Sequence, residues 1–130
     1  TMGIWDHIEK LKHSKSKLPN GASMIIEPTS AFVAVDVNTG NDFSLNAGLK
    51  ANLAVAKELP NQLSLRGLGG QIIIDFAPSP KKDRKLIETA LNSSFRKGKI
   101  DTVVVGWTTL GNFELQRKRE RIPLSELLHD

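Results

Sequence analysis

Two carboxylates and one amide are the residues best suited to handling a phosphoryl group. Asp36 and Asn38 close the apolar run Ala31-Phe32-Val33-Ala34-Val35, and Asp75 closes a second run, Ile72-Ile73-Ile74. In an extended strand alternate side chains share a face, so Asp36 and Asn38 point the same way. If the two runs lie side by side, Asp36, Asn38 and Asp75 converge on one patch. Paired carboxylates beside an amide suit a hard cation such as Mg²⁺, which prefers oxygen ligands and keeps waters for a phosphate to replace. A cation held there polarises a phosphoryl oxygen and activates a bound water. Without one, two close carboxylates repel. The spacing by itself fits a plainer reading at least as well: Asp36 and Asn38 capping a turn before Gly40.

The elements that must position these residues can be read from apolar periodicity. The valine-rich stretch 32–37 reads as a strand buried on both faces, and 71–76 as a second, entered through Gly69-Gly70. Met24-Ile25-Ile26-Glu27 followed by Pro28-Thr29-Ser30 predicts a hairpin leading into the first of them. Upstream, Leu18-Pro19-Asn20-Gly21 is turn chemistry. Between the two acidic strands, Ser44 is the expected N-cap of a helix with Leu45, Leu49, Leu53, Ala56 and Leu59 on one face. Pro60 is expected to end or kink it. Ser79-Pro80 predicts a second helix start, with Leu86, Ile87, Ala90, Leu91 and Phe95 as its apolar face and Gly98 at its end.

Residues 102–107 read as another buried strand, and 112–119 alternate less cleanly. Ile4, Trp5, Ile8 and Leu11 have roughly helical spacing, and 13–17 have no period and read as a linker. Pro123 opens a short helix with Leu124, Leu127 and Leu128. The expected organisation is therefore an N-terminal helix and linker over 1–17, with Thr1-Met2-Gly3 read as a non-native start, and one domain over 18–130. Alternating strands and helices predict an α/β fold, a mixed β-sheet flanked by helices.

Composition narrows the class without naming a function. The chain has 130 residues, 39% hydrophobic and 25% charged, as in an ordinary globular domain. No apolar run approaches the ~18 residues of a membrane span. Zero cysteines exclude disulfides and thiolate zinc ligands and suit a reducing, cytoplasmic setting. With 18 Lys+Arg against 14 Asp+Glu, the net charge of +4 permits an anionic partner without requiring one.

Taken in order, several blocks from Leu18 to about Arg121 resemble the catalytic core of the ribonuclease E/G family. They are Leu18-Pro19-Asn20-Gly21; the block 26–40, ending in Asp36-Val37-Asn38-Thr39-Gly40; Asn52-Leu53-Ala54; the block 62–76, with Leu68-Gly69-Gly70 and Ile74-Asp75-Phe76; and Arg117-Lys118-Arg119. The resemblance implies a DNase I-like subdomain whose two aspartates bind Mg²⁺ while a neighbouring asparagine positions the scissile phosphate. Carried over, these are Asp36, Asp75 and Asn38. It implies endonucleolytic hydrolysis of single-stranded, often A/U-rich RNA, leaving a 5′-phosphate and a 3′-hydroxyl.

The sequence also departs from the family. An OB-fold and a 5′-end-sensing region precede this subdomain in the family, and residues 1–17 hold neither. The family's zinc link needs cysteines, so any homo-oligomer is expected to form without one. Family members tend to carry arginines at the positions of Asn61 and Ser64, and an acidic residue where Ala77 follows Phe76. An RNA- or partner-binding module that keeps the fold without catalysis is therefore the alternative.

Candidate phosphate contacts are Arg66, Lys81, Lys82, Arg117, Lys118 and Arg119, with a solvated basic surface as the plainer reading. Trp107 and Phe113 suit base stacking, but core packing suits them better. The histidines His7, His13 and His129 have no ligand spacing.

Overall fold

A computed structural model describes residues 14–119. The expected helices at 4–11 and after Pro123 lie outside the described residues. Within them, six strands and two helices follow in the order β1 (Lys15–Lys17), β2 (Ser23–Pro28), β3 (Val33–Asn38), α1 (Ala47–Leu65), β4 (Gly70–Asp75), α2 (Arg84–Arg96), β5 (Thr102–Trp107) and β6 (Phe113–Arg117). They form one mixed sheet in the order β1-β2-β3-β4-β6-β5. Only β3 and β4 pair in parallel; every other neighbour is antiparallel. The parallel pair is forced by α1, a crossover long enough to return the chain to the same edge. The fold is therefore the expected α/β arrangement.

One face of the sheet carries the core. Met24, Ile26, Val35, Ile72, Ile74, Phe113 and Leu115 point from it toward Val55, Ala56, Leu59 and Leu63 of α1 and Ile87 and Leu91 of α2. Each such side chain contributes roughly 1.5–3 kcal/mol when removed from water. Ser94 Oγ donates to the Lys57 carbonyl at 3.1 Å and ties the two helices together.

Burial on both faces, expected for 32–37, is not what β3 shows. Val33, Val35 and Val37 are buried, but Ala34 is half-buried and Asp36 and Asn38 are exposed. Small Ala34 made an alternating strand look continuously apolar. The expected buried strand at 102–107 is instead an edge strand, with Val103 64% and Val105 56% exposed. An apolar run does not reveal whether it ends up central or peripheral. The central place goes to β6, whose Phe113, Leu115 and Arg117 face inward.

Residues 15–17, expected as linker, pair with β2 as the edge strand β1. Pro60 neither ends nor visibly interrupts α1, which runs on to Leu65. Proline removes one helical hydrogen bond at a cost of ~3 kcal/mol, and fully buried Leu63, one turn on, offsets it.

Neither expected serine cap forms. Asn46, in left-handed backbone, precedes α1, while Ser44 donates to Asp42 through both its N–H and Oγ, at 3.0 and 2.6 Å. A 3-10 turn, Lys81–Asp83, stands between Ser79-Pro80 and α2. Leu45 lies outside the helix and is exposed, as is Leu86 on α2. The β2–β3 hairpin does form, closed by Thr29, whose N–H and Oγ1 both bond the Phe32 carbonyl.

Candidate active site

β3 and β4 run parallel, and their register sets Asp36 directly opposite Asp75. Adjacent strands are roughly 5 Å apart, and the buried pairs Val33–Ile72 and Val35–Ile74 fix which face each residue takes. Asp36 and Asp75 consequently stand side by side on the face away from the helices, both exposed. A one-residue slip of β3 would bury Asp36 and expose Val33 and Val35, so the core locks this pairing. Among the described residues, no hydrogen bond or ion pair engages either carboxylate.

Asn38 lies two residues beyond Asp36 on the same face. Its Oδ1 accepts the Gly40 N–H at 2.8 Å, so the turn-capping reading holds for Asn38 and not for Asp36. That bond also fixes the orientation of the amide: the oxygen faces the turn, and Nδ2 is left as donor toward solvent. Gly40 has φ +66°, and a Cβ there would collide with the Gly21 carbonyl oxygen, so two loops meet tightly behind Asn38. The patch sits at the carboxyl ends of the parallel strands, where ligands of open α/β sheets bind.

After Asp75 the chain is held by a device invisible to periodicity. Asn52, fully buried on α1, accepts the Ala77 N–H through Oδ1 and donates to the Ala77 carbonyl through Nδ2, both at 2.9 Å. Pro78 packs so closely on the start of α1 that a Cβ on Gly48 would overlap its carbonyl oxygen. The loop leaving Asp75 is thus clamped to the helix that leaves the Asp36 strand. An asparagine in register with apolar Ala56 and Leu59 was the signal that could have found it.

The basic candidates scatter. Lys81 and Lys82 are exposed just beyond this loop, at the Asp75 end of the sheet. Lys118 and Arg119 lie at the other end, where the Arg119 guanidinium lies against Gly70, roughly 16 Å along β4 from Asp75. Arg117 is only 5% exposed and donates to Ser64 Oγ at 2.7 Å, on the helix side of the sheet. Its place in an alternating strand turns it inward, so it is not a surface phosphate contact. Arg66 also belongs to the helix side, donating through Nη2 to Ser16 Oγ at 3.2 Å and so joining the end of α1 to β1.

Trp107 and Phe113 pack with Phe76 as an aromatic cluster, ring centroids 5.1–6.1 Å apart, with the Arg84 guanidinium 4.5 Å over the Trp107 ring. This is core packing. Among the described residues no cluster of three or more His, Cys, Asp or Glu side chains suited to a metal ion occurs, and no helix is long and apolar enough to cross a membrane.

Known proteins resemble this chain in sequence. The sequence profile of the Ribonuclease E/G family matches residues 1–120. Ribonuclease G of Escherichia coli strain K12 is 34% identical over 134 residues, covering 96% of this chain and 27% of that protein. Ribonuclease G of Haemophilus influenzae is 34% identical over 137 residues, 98% of this chain and 27% of its own length. Ribonuclease E of Escherichia coli strain K12 is 32% identical over 132 residues, 97% of this chain. The chain spans 27% of the ribonuclease G proteins and 12% of that ribonuclease E. With its paired acidic strand ends and this match over most of its length, the chain belongs to the Ribonuclease E/G family.

Proposed function

We propose that this chain is the catalytic subdomain of a Mg²⁺-dependent endoribonuclease that hydrolyses single-stranded RNA, leaving a 5′-phosphate and a 3′-hydroxyl. The observation that carries this reading is the register of Asp36 against Asp75 at the exposed carboxyl ends of two parallel strands. RNA as substrate comes from the relatives named ribonuclease G and ribonuclease E. A cytoplasmic setting agrees with the absence of cysteine.

The donor set fits a hard cation. Two exposed carboxylates without a basic neighbour between them supply charge and oxygen ligands, and leave further positions for water and phosphate. Asp36 and Asp75 would hold Mg²⁺, which when bound supplies Lewis acidity and a more acidic water. The rest of the work belongs to the chain itself. Asn38, its oxygen tied to the turn, presents Nδ2 as a hydrogen-bond donor to a phosphate oxygen. The Asn52 clamp holds the main chain two residues past Asp75, so the carboxylate is set before substrate arrives. Such preorganised groups assist most where charge develops on the phosphoryl oxygens. Lys81 and Lys82, at the same end of the sheet, are placed for the neighbouring backbone.

The test is cleavage of a labelled A/U-rich single-stranded RNA with Mg²⁺ and with EDTA, by the wild type and by Asp36→Asn and Asp75→Asn. Metal-dependent cutting lost in both variants, with the melting temperature retained, is expected. Wild-type rates in both would remove the two aspartates from the site. RNA binding without cleavage at any Mg²⁺ concentration would instead assign the chain as a binding module.

A further inference from the structure

We propose that Lys15 and Lys17, on the edge strand β1, grip the backbone phosphate flanking the scissile bond and lay the RNA across the open face of the sheet. This rests on the nuclease reading of the acidic pair for the meaning of "scissile", though not for the grip itself. The inference comes from cross-strand register. Lys15 pairs with Ile25, Ile25 with Asp36, and Asp36 with Asp75, so these four residues form one row across β1, β2, β3 and β4. Lys17 pairs with Ser23, and Ser23 with Asn38, forming the adjacent row.

Facing is settled by the residue between the lysines. Ser16 is buried, opposite core residue Met24, and bonded to Arg66 on the helix side. Alternation then turns exposed Lys15 and Lys17 to the face that carries Asp36 and Asn38. Two inter-strand steps, roughly 10 Å, separate the Lys15 backbone from that of Asp36, and lysine's flexible four-carbon stem shortens the gap. Between them on β2 lie buried Ser23 and half-buried Ile25, with exposed Glu27 two residues further along the same face. No carboxylate stands in either row between the lysines and the acidic pair, and among the described residues no ion pair occupies either lysine.

A strand crossing here perpendicular to the β-strands meets two ammonium groups at one side and the acidic pair with Asn38 at the other. Its chemistry is that of a phosphodiester chain, because the lysines offer point charges to phosphate and no shape that reads a base.

The experiment measures binding of a labelled single-stranded RNA in EDTA over a range of salt concentrations, using the whole chain. Lys15→Ala/Lys17→Ala is compared with Lys97→Ala/Lys99→Ala, which removes the same charge from exposed positions after α2. Two lost phosphate contacts at about 0.7 each lower the slope of log affinity against log salt by ~1.4. Lys15→Arg/Lys17→Arg restores it, and the control pair leaves it unchanged. In cleavage, KM rises with kcat retained. A wild-type slope in the Lys15/Lys17 double variant, an equal drop in the control pair, or no RNA binding by the wild type overturns the proposal. The two readings fail separately: unchanged binding with cleavage still lost in Asp75→Asn removes only the lysines, and a lowered slope in a chain that never cuts RNA removes only the nuclease.

Discussion

Replacing Asn52 by alanine should destabilise the protein through the loop that leaves the acidic strand. Asn52 makes two hydrogen bonds of 2.9 Å to one residue, Ala77, and both partners are buried. Truncation leaves the Ala77 N–H and C=O without their bonds, and each buried polar group so orphaned costs about 1–3 kcal/mol. For the two groups together that is about 2–6 kcal/mol; the loop lies at the sheet's end, where water can reach a displaced segment, so the cost should fall in the lower half, about 3 kcal/mol. For a domain of this size that lowers Tm by roughly 10 °C. Urea denaturation gives the free energy, and amide exchange at Ala77 locates it. The Asn52→Asp variant sharpens the test. Its carboxylate still accepts the Ala77 N–H but faces the Ala77 carbonyl without a proton, and burial raises its pKa above the ordinary Asp value near 3.9. The protonated acid donates again, so this variant should be most stable below that ordinary value and lose stability as pH rises through the raised folded one. A melting point for Asn52→Ala within about 2 °C of wild type, with unchanged exchange at Ala77, would refute the clamp.

Two further outcomes follow from the same end of the sheet. Gly48→Ala should gain about 1 kcal/mol from helix propensity alone, but its Cβ overlaps the Pro78 carbonyl; net destabilisation in urea is expected, and a stabilised protein would show that the loop does not pack there. Asp42 is held below the ordinary carboxylate range by the hydroxyl of Ser44, then by its N–H. The 42–44 turn should therefore be intact above the ordinary value of 3.8 and open only as pH falls through the lowered one, which the Ser44 amide resonance reports; opening above pH 5 would contradict it.

Much of the fold was legible because apolar periodicity and turn chemistry act locally. The β2–β3 hairpin, the strand at 70–75 and the helix at 84–96 each announce themselves within a dozen residues. What failed depended on neighbours far along the chain. Whether 102–107 is central or an edge is decided by β6, and Pro60 is tolerated because Leu63 has a core to enter. Lys15-Ser16-Lys17 is too short to show a period, and it becomes a strand only because β2 offers an edge. The acidic pair was legible as two strand ends, while its register was not: the helix between Asp36 and Asp75 could have returned the chain one residue out of step. Arg117 shows the opposite error, in which a run of basic residues looks like one surface although strand alternation sends its first member inward.

The distribution of charge says more than the net +4. Arg117 and Arg66 both tie α1 to the sheet, through Ser64 and Ser16, on the side away from the acidic pair. On the face away from the helices the lysines stand on the edge strand β1, while carboxylates stand on β2, β3, β4 and β6 as Glu27, Asp36, Asp75 and Glu114. An RNA phosphate placed near the bare acidic pair is repelled, whereas one placed beside a cation held by the same pair is attracted. Under the nuclease reading, cation and RNA must then strengthen each other's binding by the same factor, as linkage requires of any two ligands that share a site. The lysine side of the face carries no such condition. Metal should therefore govern where along the strand the backbone is presented to Asn38, while the lysines hold the RNA whether or not it is cut.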